Sequence, residues 1–282
     1  MNTLENRKAI VTGGAMGIGL ATARCLLAEG CDVTIWDMNE EALKTAADEL
    51  KAVNRGAVYA YQCDVTDRER VLTLAGTAEK EMGRVDILIN NAGIEKHGRF
   101  CEVPLDVWER ETAVNLNAIY YTTHAVLPGM YRRNDGHIVN ISSAAGLIGV
   151  ADLAVYAATK WAVFGFTESL RAEAAMDGKN VSFTSIHPHF VKEGLFSGGR
   201  LNFLGELLVP RIKTHDAVAR AIINKALVRK CNTVKIPVTL HLGVFFRGIL
   251  PDRLLQLMTV RMMGVGHCTE EMVGYGQEQK TH

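Results

Sequence analysis

Ala9-Ile10-Val11-Thr12-Gly13-Gly14-Ala15-Met16-Gly17-Ile18-Gly19 carries the first regular structure of the chain. An apolar run, a glycine-rich turn, and then Leu20, Ala23, Leu26 and Leu27 at helical spacing predict a buried strand, a tight turn and a helix. This arrangement brings a pyrophosphate onto helix amides, because backbone approaches the phosphates where no Cβ stands in the way. A glycine-rich turn by itself is also simply a turn, so its meaning rests on what surrounds it.

The same alternation continues outward. Further strands are expected at 32–36, 57–61, 85–89, 138–142, 181–186 and 233–236. Between them, Asn39 caps a helix to about Lys51 and Asp67 caps the next. Longer helices are expected at about 106–131, 153–176 and 216–228. Strands and helices alternating in this way form right-handed βαβ units in one parallel sheet with helices on both faces. The expected fold is therefore α/β, a single doubly wound, Rossmann-like domain over residues 1–236. Residues 237–282 are left as a C-terminal apolar helical extension.

Composition narrows the function classes. The 282 residues are 48% hydrophobic, enough for one large core. Thirty-one basic residues balance 31 acidic ones without a basic block, which argues against a nucleic-acid partner. Six cysteines show no CxxC spacing, and Cys25, Cys31 and Cys63 sit in contexts typical of small buried hydrophobes. Met1 to Lys8 has no apolar signal region, and no apolar run reaches the ~18 residues of a spanning helix. A reduced, cytoplasmic setting is expected.

The chemistry-bearing stretch lies further on. Tyr156 and Lys160 are four residues apart and share a helix face. A phenol alone holds its proton to a pKa near ~10, and an ammonium within reach pulls it toward the working range of a general base. Ser143, at the end of the 138–142 strand, can meet that face across a cleft and bond the same substrate oxygen. A lone YxxxK is otherwise an exposed helix pair.

Thr12-Gly-Gly-Ala-Met-Gly-Ile-Gly19, Asn90-Asn-Ala-Gly93, Asn115, Ser143 and Tyr156-x-x-x-Lys160 occur in one order. Together they resemble the short-chain dehydrogenase/reductase family over about residues 7–190. The resemblance implies that Tyr156 is the acid/base and that Ser143 hydrogen-bonds the reacting oxygen. Lys160 would lower the tyrosine pKa and bind the nicotinamide ribose. Asn115 would bend its helix and hold a water; a mid-helix asparagine bonding its own backbone fits the same distortion. Gly13, Met16, Gly17, Ile18 and Gly19 would cradle the dinucleotide, Asp64 and Val65 the adenine edge, and Asn91, Ala92 and Gly93 the adenosine side. From the residues alone Asp64 is equally a turn residue. The resemblance also implies a homodimer or homotetramer.

Asp37 ends the second strand, where a carboxylate accepts the adenosine ribose hydroxyls and repels a 2′-phosphate. NADP-preferring relatives carry Arg or Lys at the positions of Met16 or Met38, so NAD is expected over NADP. A cap of the following helix is the plainer role for Asp37. The family pattern breaks after Ile186: the usual Pro-Gly and Thr are here Pro188-His189 and Lys192. Cofactor grip would then rest on backbone near Val191, and His187 and His189 are expected to line the pocket in a loop. No histidine or cysteine spacing suits a metal.

The loop 193–208, rich in Gly, Leu and Phe, is expected to be an apolar substrate lid. The extension contains two short amphipathic segments resembling those of retinoid- and hydroxysteroid-processing members. It is expected to act as a flap or oligomer contact, with weak peripheral membrane contact as the alternative. The expected activity is hydride transfer between NAD(H) and a bulky apolar secondary alcohol or ketone. A small-polyol, sugar or acyl-ketone oxidoreductase is the runner-up, and a non-catalytic nucleotide-binding member is the rival class.

Overall fold

The computed structural model describes residues 4–265, 268 and 269. From the N-terminus, β1 (Lys8–Thr12), α1 (Gly17–Ala28), β2 (Asp32–Asp37), α2 (Glu40–Lys51), β3 (Val58–Gln62) and α3 (Arg68–Met82) form the first half. The second half continues through β4 (Ile87–Asn90), α4 (Leu105–Thr112), α5 (Ala118–Arg133), β5 (Gly136–Ile141), α6 (Ala154–Met176) and β6 (Val181–Pro188). It closes with α7 (Phe203–Leu208), α8 (His215–Ala221) and β7 (Thr233–Ile236). The extension supplies α9 (Leu240–Ile249) and α10 (Asp252–Gln256), which runs into a π-helical turn at Leu257–Met262.

The strands pair in parallel in the order β3-β2-β1-β4-β5-β6-β7. The chain winds one way from β1 to β3 and the other way from β4 onward. Such a reversal opens a crevice beyond the carboxyl ends of β1 and β4. Side chains alternate between faces along each strand. Ala9, Val11, Val33 and Ile35 pack with α1 and α2, whereas Ile10, Leu88, Ile138 and Phe183 pack with α3, α5 and α6. A buried Leu or Ile contributes about 1.5–3 kcal/mol, so these two layers hold the crevice rigid.

The caps follow from the residues. Asn39 accepts from Ala42 N–H and Asp67 from Arg70 N–H, satisfying first-turn amides of α2 and α3. Gly83 ends α3 at φ 78°, a left-handed conformation that favours glycine. Two helices depart from regularity. The expected 106–131 helix widens into a π-helical turn at Ala113–Asn117, and the 216–228 helix ends in another at Ile222–Val228. The strand expected at 181–186 continues to Pro188, because β7 pairs with it as far as Pro188 opposite Ile236. All six cysteines are free; Cys31 and Cys63 are buried and Cys25 half-buried.

Candidate active site

Ser143 lies two residues past the end of β5 and caps the 3-10 turn Ala144–Gly146, its Oγ accepting from Ala145 N–H at 3.2 Å. Its neighbour Ser142 donates to the backbone carbonyl of Lys160 at 2.8 Å, tying α6 to the end of β5. That tie, legible only in three dimensions, sets the distance between the serine and the helix face bearing Tyr156 and Lys160. Both of these side chains are buried. Lys160 donates to the carbonyl of Ile141 at 3.0 Å, and its Nζ lies 5.5 Å from the Tyr156 ring centroid.

The electrostatics differ from the expected lowering of the tyrosine by the lysine. Burial pushes the Tyr156 phenol above its ordinary value; Ser143 acts against this, while Glu95 and Glu111 add to it. The ammonium spends a hydrogen bond on Ile141 O. Burial brings Lys160 itself down to about 8, with Glu111 opposing.

Asn115 lies in the π-helical turn between α4 and α5 and is fully buried. It does not bond its own helix backbone. Its Oδ1 accepts from Ile94 N–H at 2.8 Å and its Nδ2 donates to Ile94 O at 2.9 Å, so it clamps the segment after β4. A Cβ on Gly93 would stand 3.3 Å from Asn115 Oδ1 and 3.6 Å from Lys160 Nζ. The clamp therefore brings residue 93 to the acid/base set.

At the crevice, α1 begins after Met16 without a side-chain cap, leaving first-turn amides for an anion. Its first residue, Gly17, has φ 57°. A Cβ on Gly19 would meet Gly13 O at 2.0 Å, so the turn tolerates no side chain there. Ile18 leans on the α1 side of the core. Thr12, missed in the sequence, latches the turn: its Oγ1 accepts from Asn91 N–H and Ala92 N–H, both at 3.0 Å. Asn91 Nδ2 donates back to Thr12 O and Gly13 O, each at 3.0 Å.

Asp37, buried at the end of β2, accepts from Ala15 N–H through Oδ2 and from Asn39 N–H through Oδ1, both at 3.1 Å. It thus ties the glycine turn to the start of α2. Asp64 forms a turn, accepting from Thr66 N–H, and pairs with Arg110 at 2.8 Å. Burial tends to raise that carboxyl, but the Arg110 and Thr66 donors outweigh it and hold the value low. Val65 is buried among the α3 side of the core. An uncapped helix start, a turn that a Cβ would fill and a carboxylate at the end of β2 suit a dinucleotide.

The second opening is an apolar cavity beside Ser143 and Tyr156, with about 870 Å³ of empty space, its mouth included. Phe196 and Leu201 from the loop 193–208, and Leu240 and Val244 from α9, form part of its wall. Phe203 and Leu207 of the same loop instead point outward, 87% and 68% exposed, so this loop is apolar on both sides. His187 does not line this pocket. The lengthened β6 buries it, with Nδ1 at 3.0 Å from Ser143 O and Nε2 at 3.0 Å from Ser185 Oγ. Burial lowers it to about 4, a neutral imidazole bracing the serine backbone. His189 does line the pocket, and its shielded Nε2 has no hydrogen-bond partner.

Val191 pairs with Ile212 in an isolated bridge made through Phe190 O and Lys192 N–H. Its own peptide groups point away from residue 212. Arg247 fastens α9 over the cavity: it donates to Leu147 O, and its guanidinium stacks 3.9 Å from the Trp161 ring centroid. A charged hydrogen bond contributes about 1.5–3 kcal/mol, and each 1.4 kcal/mol is about tenfold in an opening equilibrium. Arg247→Ala should therefore speed amide exchange in α9 roughly tenfold, leaving β5 protected. Unchanged exchange in α9 would show that Arg247 does not hold it.

Among the described residues, no helix is long and apolar enough to cross a membrane. The model of the short chain dehydrogenase family matches residues 7–198. Mouse "Epidermal retinol dehydrogenase 2" is 35% identical, covering 96% of this chain and 86% of the relative. Bovine "Short-chain dehydrogenase/reductase family 16C member 6" is 34% identical, covering 88% and 78%. A short chain dehydrogenase from Mycobacterium smegmatis superposes with a TM-score of 0.71 at 28% identity, covering 84% of this chain and 93% of that one. A glycine turn latched by Thr12, a serine at the end of β5 and a Tyr–Lys pair on α6 therefore occur in an oxidoreductase fold, and the chain belongs to the short-chain dehydrogenase family.

Proposed function

We propose that the protein interconverts a bulky, apolar secondary alcohol and its ketone, steroid-, retinoid- or lipid-like, with NAD(H). The observation carrying this is the apolar cavity whose polar end is Ser143 and Tyr156. A polyol or sugar would leave its hydroxyls facing Leu153, Phe190, Phe196 and Leu201, which offer no side-chain partner. Relatives named as retinol dehydrogenases support an apolar alcohol.

The nicotinamide would supply the hydride acceptor or donor. Gly13, Met16, Gly17, Ile18 and Gly19 would receive its phosphates, with Asp37 at the adenosine ribose. Asp64, Val65, Asn91, Ala92 and Gly93 would border the adenosine, and Val191 would offer backbone to the nicotinamide end. Ser143 holds the reacting oxygen and Tyr156 exchanges the proton with it. Lys160 would bind ribose hydroxyls, and its ammonium would favour negative charge on the phenol, while Asn115 keeps residues 93 and 94 packed against its own turn.

Burial keeps Tyr156 protonated through neutral pH, which suits proton delivery to a carbonyl oxygen. Alcohol oxidation needs the deprotonated form, so its rate should rise into the alkaline range while reduction should not. A panel of long-chain, steroidal and retinoid alcohols against sorbitol and short alcohols, each with NAD and NADP, tests the reading. Higher kcat/KM on the polyols would overturn it.

A further inference from the structure

The segment after β4 brings Glu95 near the acid/base set, since a Cβ on Gly93 would stand 3.6 Å from Lys160 Nζ, and neither Glu95 nor Glu111 belongs to the cavity wall. Glu95 is two residues beyond Gly93, in the segment that Asn115 clamps; Glu111 is in the last turn of α4. The Glu95 side chain has no exposed surface, and Glu111 is 1% exposed. Their polar partners are few. Glu111 Oε1 accepts one long bond from Lys96 N–H at 3.4 Å. Glu95 Oε1 approaches His97 Nδ1 at 3.3 Å without hydrogen-bond alignment, and among the described residues both Glu95 oxygens lack a hydrogen-bond partner.

Two ionised carboxylates with so few donors are costly in a dry site, and such pairs retain a proton. The charges around them are few. Lys160 and Tyr156 face them from α6, and Glu111 supports the Lys160 ammonium while both carboxyls oppose tyrosinate. On their own segment stand the exposed Lys96 and the part-buried His97. His97 is lowered by burial and by Lys96, with Asp152 opposing. Asp152 is itself paired with Arg99 at 3.0 Å. Burial raises Glu95 to about 7, helped by Glu111, and burial raises Glu111 to about 7. The like charge of Glu111 links its protonation to that of Glu95.

We propose that Glu95 and Glu111 together retain one proton near neutral pH, and that their remaining charge governs the protonation of Tyr156 and Lys160. They are positioning residues acting through Tyr156 and Lys160, and this role rests on the acid/base reading of those two side chains. Isosteric glutamine keeps their volume and removes their charge. With both replaced, tyrosinate loses the negative charge that opposes it, so the acid limb of alcohol oxidation moves to lower pH, by about one unit.

Two measurements test this, on the full chain. Infrared titration of the cofactor-free protein should show a protonated-carboxyl band persisting near neutral pH. That band should be lost in Glu95→Gln/Glu111→Gln. In each single variant it should titrate at lower pH, because the remaining carboxyl loses its like-charged neighbour. The pH profile of oxidation should shift down in the double variant, with thermal melts confirming that it folds. No band near neutral pH in the parent, or single variants titrating where the parent does, overturns the pair. A band that behaves as expected with an unmoved oxidation limb overturns its control of Tyr156. A parent without turnover contradicts the functional reading of the site, whereas the infrared result still decides whether the proton is retained.

Discussion

Tyr156→Phe is expected to fold, to bind NADH and to lose nearly all turnover, by about 10²–10⁴-fold, the usual contribution of a positioned general acid/base. The physical case rests on what the substitution leaves in place. The Tyr156 ring packs edge-on against Phe196, with centroids 5.4 Å apart, and is buried among Ala145, Leu153 and Ala157. Phenylalanine keeps all of that surface. Only the hydroxyl goes, at a stability cost of about 0.5–1.5 kcal/mol. A melting temperature shifted by a few degrees, with intact NADH fluorescence titration, would therefore accompany the loss of rate. Parent-like turnover in this variant would falsify the assigned proton transfer. Lys160→Ala is a less selective probe, because it also strips Ile141 O of its buried donor.

How far the sequence reveals this site depends on the range of the interactions involved. The glycine turn, the Asn39 and Asp67 caps and the shared helix face of Tyr156 and Lys160 are local features, decided within a few residues. All were legible. His187 was misplaced because its surroundings are decided by β7, whose pairing lengthens β6 by two residues. Asn115 illustrates the same limit. Its helix distortion was expected, but its partner, the backbone of Ile94, lies 21 residues away. Glu95 and Glu111 look like ordinary charged surface residues in one dimension. Their burial arises only when the segment after β4 packs beneath α4 and α6. The direction of the Tyr156 shift was also misjudged from spacing alone. Four residues place the ammonium on the same face, but the nearby Ile141 carbonyl takes its hydrogen bond. Within the expected extension, residues 240–262 are helical, and residues 270–282 lie outside the described residues. That Phe245 and Ile249 face outward, while Leu240 and Val244 border the cavity, was beyond a reading of periodicity.

Asp37 is expected to set the choice between NAD and NADP, and its structural ties make the test more demanding. Both carboxylate oxygens accept from backbone, Oδ2 from Ala15 N–H and Oδ1 from Asn39 N–H. Each oxygen keeps a further acceptor position, so ribose hydroxyls and these amides can share one carboxylate. Asp37→Ser with Met38→Arg removes the ribose acceptor and its negative charge. It also adds a guanidinium at a position that is 60% exposed and free to swing toward a 2′-phosphate. Each charged contact is worth about 1.5–3 kcal/mol, and about 1.4 kcal/mol is tenfold. The ratio of kcat/KM for NAD to that for NADP should fall by at least an order of magnitude. Loss of the acceptor for Ala15 N–H will loosen the glycine turn and lower both rates together, which is why the ratio, and not either rate, carries the result. Asp37→Asn separates the two roles: its amide oxygen can still accept one backbone bond, but it no longer repels phosphate. It should move the ratio part of the way with less loss of absolute rate. A parent that already prefers NADP, or a ratio unmoved in both variants, would leave Asp37 as a tie between the glycine turn and α2 and nothing more.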